Sequence, residues 1–254
     1  MVGMSKAKAE NRPLPKRFYA AASMVQHDGN FAITLDGKFV RTPQQQLLQT
    51  STLELAQYIV AEWEAQQEFI DTDTMPLTRL LNIALDRVAM DRDALLIDIT
   101  GYGETDLLCY RAPLENTALP IASSHDILRA KQVQHFDPIL DWAHKKHGME
   151  FVVTDGLMPV LQPEQTMQKI ATLFAAATDH QLAALAMLVP LLGSALLVLA
   201  VWEGVITIEA ALVAARLDEA MQGEQWGEDV EVAAKWSTKM RDARAAAVFL
   251  QHTA

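Results

Sequence analysis

A single cysteine, Cys109, stands in a chain of 254 residues. No internal disulfide can form, and a secreted chain of this size more often carries several, so a reducing compartment is expected. Basic charge is also short: 21 Lys and Arg stand against 32 Asp and Glu, a formal net charge of -11. Such a surface repels phosphate backbones and anionic lipid, which argues against nucleic acid and membrane surfaces and for a neutral or basic protein partner. The basic N-terminus is not followed by an apolar run with a small-residue cleavage site, so it is no secretory signal. It reads as a disordered tail or, at most, a weak organelle-targeting remnant.

The chemistry-bearing motifs of common enzymes are missing. Gly101-Tyr102-Gly103 lacks the third glycine of a dinucleotide fingerprint and follows a predicted helix, and no Gly-Lys-Ser or Gly-Lys-Thr occurs. Ser194 has Gly193 before it but Leu192 and Leu196 where a nucleophile elbow needs glycines, so it reads as a packing residue, back-bonded to a helix carbonyl. Asp71-Thr72-Asp73 starts like a calcium loop, yet Pro76 and Asn82 occupy the positions that need Gly and Glu. Cys109 has no neighbouring charge pattern to lower its thiol pKa and reads as a small buried side chain.

One metal candidate survives. Asp137, Asp141, His144 and His147 recur at spacings that put several on one helix face, which would suit a metal-dependent enzyme using Asp137, Asp141 and His144. Lys145 and Lys146 lie between the histidines and no second cluster completes a site, so a solvated helix face is the competing reading.

What is present is an apolar composition, with half the residues apolar and 21% charged, which makes the bulk of the chain globular. Leu182 to Trp202 carries no formal charge and is long enough to cross a bilayer. Pro190 with Gly193 and Ser194 behind it predicts a break there, and the flanking charges Asp179 and Glu203 are acidic where a basic flank is usual. Two short buried helices meeting at a kink are therefore expected, with no stable membrane insertion.

The strand signals come first. Ala20 to Gln26, Phe31 to Leu35 and Lys38 to Thr42 are separated by His27-Asp28-Gly29-Asn30 and by Asp36-Gly37, a hairpin signature. Ser51 and Glu54 predict a capping box, followed by a helix whose stripe is Leu53, Ala56, Val60 and Trp63. A second helix starts at Pro76 with Leu77, Leu80, Leu81, Ala84, Leu85 and Val88 inward and Asn82, Asp86 and Arg87 off the stripe; Asp91 is the predicted cap of a third. Thr105 to Ala112 reads as a strand and Asn116 to Pro120 as a linker. Helices are then expected over 124–146, with a new first turn at Asp137-Pro138 and a stop at Gly148, then over 164–177, 208–225 and 229–251, with a short strand over 150–154. The fold class is α+β: a small antiparallel β plus helices domain over 18–120 and a mainly α-helical domain over 121–254, preceded by a disordered basic tail over 1–17.

Acidic charge concentrates late. Residues 203–231 hold eight acids against Arg216 alone. Within them Trp226 lies among Glu224, Glu228, Asp229 and Glu231, an aromatic anchor in an acidic frame that would select a basic protein surface. The alternative is a helix junction in which Gly227 ends one helix, Trp226 faces inward and Glu228 and Asp229 sit at the positive N-terminus of the next.

Several signatures then occur together and in order: Glu62-Trp63 with Gln66; Met75-Pro76-Leu77-Thr78-Arg79-Leu80 with Asn82, Ala84 and Asp86-Arg87-Val88; Thr105-Asp106-Leu107-Leu108-Cys109-Tyr110-Arg111-Ala112; Asp137-Pro138 with Leu140 and Trp142; Gly193-Ser194; and Asp218-Glu219, Gln222 and Trp226-Gly227-Glu228-Asp229. Over Arg17 to about Leu250 the chain resembles the ATP12 family, assembly chaperones of the F1 part of ATP synthase found in mitochondria and alpha-proteobacteria. Phe136 stands where that family usually has Trp, and Val232 where Ala is commoner; both bear on local packing alone. The resemblance implies an ATP-independent, non-enzymatic chaperone without cofactors, a monomer that binds the F1 alpha subunit and shields the surface that later meets beta. It points to Glu228 and Asp229 as charge-recognition residues, with Trp226 and Glu231 beside them.

Overall fold

Two turns in left-handed backbone set the register of the N-terminal sheet. Asp28 and Gly29 have φ of 48° and 81°, and Asp36 and Gly37 have 48° and 77°. Positive φ at both central residues is the type I′ geometry, whose twist matches that of the strands it joins. In the computed structural model, which describes residues 13–114, 123–156, 158–227 and 230–253, the first turn links β1 (Ala22–His27) to β2 (Asn30–Leu35) and the second links β2 to β3 (Lys38–Phe39). β4 (Gln49–Thr50) pairs with β2 on the edge that β3 also uses, and every pairing is antiparallel. Of the expected tail, residues 1–12 lie outside the described ones, while the Pro15 carbonyl accepts from Ile70 N at 2.8 Å and Arg17 N donates to the Glu68 carbonyl at 2.9 Å. The expected boundary at residue 120 also lies outside them.

α1 (Leu53–Glu64) lies on this sheet, with Leu55, Ala56 and Ile59 fully buried. Of the predicted stripe, Ala56, Val60 and Trp63 face the core, but Leu53 is exposed, because the sheet meets the face centred on Leu55 and Ile59. The predicted capping box does not form either. The N-cap is Thr52, and its hydroxyl donates to the His252 carbonyl at 2.6 Å, tying the start of α1 to the C-terminal end of the chain.

α2 (Pro76–Ile83) passes through a π-helical turn (Ala84–Val88) into α3 (Ala89–Gly101). Asp91 is therefore inside a helix and caps nothing. The wider turn swings Asp86 inward, contrary to the sequence stripe, where Thr42 Oγ1 donates to it at 2.5 Å and Gln44 N at 3.1 Å. Thr105 to Ala112 gives a 3₁₀ turn (Leu107–Cys109) and only the two-residue β5 (Tyr110–Arg111), which pairs in parallel with β6 (Thr154–Asp155).

α4 (Ser124–His147) opens on a capping box between Ser123 and Asp126 and ends at Gly148 in left-handed backbone. Pro138 lies within it and starts no new helix. After α5 (Glu164–Ala175), the long apolar run becomes α6 (Asp179–Leu192) and α7 (Ala195–Trp202). The break is at Gly193 (φ 65°) and Ser194. Pro190 stays helical and exposed, so the carbonyl it leaves unpaired can be hydrated. No helix among the described residues is long and apolar enough to cross a membrane. The run instead forms the centre of the core: α2, α3, α7 and α10 (Val230–Gln251) all pack on α6. α8 (Ile208–Ala215) and α9 (Leu217–Trp226) split the single helix expected over 208–225, with Arg216 out of helical geometry between them. The chain is α+β, sheet first and helices last.

Candidate functional site

Most signature residues turn out to hold the fold. Glu62 accepts from Leu77 N at 2.7 Å, Thr78 N at 2.8 Å and Thr78 Oγ1 at 2.8 Å, capping α2 from the side of α1. Burial pushes its pKa up despite those bonds. Gln66 is buried beside it, taking Asp71 N at 2.7 Å and donating to Thr74 Oγ1 at 3.1 Å. Trp63 packs between the main core and a small N-terminal cluster of Tyr19, Leu35, Ile70 and Met75, its ring 5.7 Å from that of Tyr19 in an edge contact. Arg79 pairs with Asp242 at 3.0 Å, linking α2 to α10.

Asp106 is fully buried. Its Oδ1 accepts from Ser194 Oγ at 2.6 Å and Leu108 N at 3.0 Å, and its Oδ2 from Leu196 N at 3.0 Å. Ser194 also accepts from Leu197 N at 2.9 Å, so it is the N-cap of α7 and not a back-bonded helix serine. Burial holds Asp106 up at about 6 and, with Asp106 next to it, pushes the Cys109 thiol up to about 12. A thiol so disposed stays protonated and inert at neutral pH.

Two of the four metal candidates are held in ion pairs. Asp137 pairs with the buried guanidinium of Arg111 at 2.5 Å, and His147 with Glu203 at 3.1 Å. Asp137, Asp141 and His144 line a shallow groove between α4 and the 149–153 segment. Among the described residues, no three His, Cys, Asp or Glu converge on a point that could hold an ion.

Of the recognition residues, Trp226 is the last residue of α9, followed by Gly227 at φ 83° and ψ 154°; Glu228 and Asp229 lie outside the described residues. Glu231 is in the first turn of α10, exposed, and paired with Lys235 at 2.6 Å. Next to this corner the structure adds a feature the sequence did not flag. α4, α8, α9 and the exposed first half of α10 enclose a groove of about 450 Å³, floored by Leu212, Val213, Trp236 and Met240. The Arg216 guanidinium lies 4.9 Å over the Trp236 ring, which fixes both. α9 is held to α4 by Gln132 donating to Asp218 at 2.9 Å. Trp236 and Met240 at helical spacing were the available signal, but a stripe of that kind ordinarily means core.

A family model for the ATP12 chaperone protein matches residues 16–144. The fold is similar to the crystal structure of Atp12 from Paracoccus denitrificans, with 35% identity over 94% of this chain and 99% of that one and a TM-score of 0.84. It is also similar to a candidate chaperone from Agrobacterium tumefaciens, with 39% identity over 94% of this chain and 87% of that one and a TM-score of 0.85.

Proposed function

The chain belongs to the ATP12 chaperone family, and on that premise we propose that it binds the F1 alpha subunit of ATP synthase and keeps it competent for assembly. The observation that carries this is the likeness to Atp12 along nearly the whole chain, helical C-terminal part included. An unassembled ring subunit exposes a broad apolar interface and aggregates through it. A protein that covers this interface reversibly is displaced when the permanent partner binds more tightly, a competition of affinities that needs no nucleotide. The lack of any Gly-Lys-Ser or Gly-Lys-Thr in the sequence is consistent with ATP independence.

The docking corner we favour is the end of α9 and the start of α10, with Glu228 and Asp229 as charge-recognition residues and Trp226 and Glu231 beside them. Its support is the concentration of acids there and the neighbouring groove that Trp236 lines. A monomer acting in a bacterial cytoplasm, or in a mitochondrial matrix, fits this reading. Co-expression with F1 alpha and with F1 beta separately, followed by pull-down, tests it. Capture of alpha is expected, and capture of beta alone refutes the assignment.

A further inference from the structure

The turn between β2 and β3 and the segment before β1 enclose a pocket of about 440 Å³. Tyr19 and Leu35, both buried, line it with Trp63, and so do Phe18 and Phe39, which stand 73% and 45% exposed. Edge contacts carry the aromatic wall outward: the ring of Trp63 lies 5.7 Å from that of Tyr19, and Tyr19 lies 5.5 Å from Phe18. The wall is pinned in place. Asp36 accepts from Ala20 N at 3.1 Å and Ala21 N at 2.9 Å, and Tyr19 Oη donates to the Trp63 carbonyl at 2.7 Å. The pocket is therefore preformed, as ligand pockets usually are.

Its charge differs from that of the chain as a whole, which is formally -11. Lys38 and Arg41 line it and are exposed. Arg41 donates from Nη1 to the Gln45 carbonyl at 2.8 Å, and a guanidinium has further N–H groups to give. Among the described residues the acid in the lining is Asp36, whose carboxylate is spent on Ala20 and Ala21. Trp63 adds a donor: its indole N–H is closed to solvent and has no hydrogen-bond partner among the described residues. Buried donors seldom stay unpaired, and one on a residue that lines a pocket calls for an acceptor from outside the fold.

We infer that this pocket is a second docking site, which takes an apolar side chain of the client that has a carboxylate beside it. The apolar body meets the rings of Phe18, Tyr19 and Phe39, and the carboxylate pairs with Lys38 and Arg41. Such a site complements the acidic α9–α10 corner, since it reads the opposite charge on the client. The inference rests on the client-binding reading above, but on a different part of the molecule.

Phe18→Ala removes part of the exposed aromatic wall, and Lys38→Glu reverses one of the cations; both positions are exposed, so the thermal midpoint should hold. Binding of purified F1 alpha should weaken about tenfold in each variant. Lys145→Glu on α4, with the same change in net charge, should bind as the unaltered protein does. The Trp63 indole N–H resonance should shift when alpha is added. If the unaltered protein binds alpha and both folded variants bind it equally well, the pocket is overturned and the chaperone reading stands. A loss in Phe18→Ala alone, or an equal loss in Lys145→Glu, would mean that the pocket holds no carboxylate and would overturn the occupant. No binding of alpha by the unaltered protein overturns the client reading and this inference with it.

Discussion

Ser194 donates to Asp106 across 2.6 Å in a site closed to solvent, joining the segment after α3 to the break in the most apolar stretch of the chain. Two residues far apart in sequence thus decide where α7 starts. The same carboxylate holds Leu196 N, so the helix terminus is satisfied from outside the helix.

Burial raises Asp106 to about 6 from an ordinary value of 3.8, the desolvation outweighing its hydrogen bonds. The folded protein therefore keeps a proton that the unfolded chain gives up at lower pH. The stability this contributes is complete below 3.8 and is lost as pH rises through about 6, a change on the order of 3 kcal/mol. Urea midpoints measured from pH 4 to 7 should show that fall, and Asp106→Asn should flatten it. An unaltered slope in the variant would mean that Asp106 does not titrate in this range.

Ser194→Ala removes a cap and leaves a buried carboxylate short of one donor. A loss of about 1–3 kcal/mol is expected in chemical denaturation. Combined with Asp106→Asn, the two losses should not add, since each variant removes the same contact; strict additivity would contradict the coupling.

Glu62→Gln keeps the size but presents one acceptor where two oxygens hold Leu77 N, Thr78 N and Thr78 Oγ1. The expected cost is about 1–2 kcal/mol, with the α2 amides exchanging faster. Unchanged protection at residues 77 and 78 would show that water replaces the cap without penalty.

Trp63→Ala opens space between the main core and the small N-terminal cluster. The loss should be about 3 kcal/mol, while Trp63→Phe, which keeps an aromatic ring against Tyr19, should lose less than half of that. Equal losses would mean that ring contact contributes little.

Glu228→Lys tests the docking corner. We expect a protein with an unchanged thermal midpoint that captures F1 alpha at least tenfold more weakly, because the reversed charge repels a basic client surface. Full capture by the variant removes Glu228 from the site.

What was legible in the sequence was local. Asp36-Gly37 required left-handed backbone and gave a hairpin, Pro76 could only begin a helix, and Gly148 could end one with its φ of 62°. Hydrophobic periodicity located the buried helices, and the order of strands and helices gave the α+β class. Where several partners competed for one polar group, the sequence was silent. Ser51 and Glu54 looked like a box, but Thr52 had a better acceptor at His252, 200 residues away. Asp86 looked outward until the π-helical turn placed it against Thr42.

The candidate site divides in the same way. The sequence by itself determined that acids and an aromatic residue cluster near Trp226 and that ordered signatures run through the chain, because composition and order need no third dimension. The groove at Trp236 was decided only by tertiary structure. Trp236 and Met240 have the spacing of core residues, and only the placement of α4, α8 and α9 leaves them lining a groove.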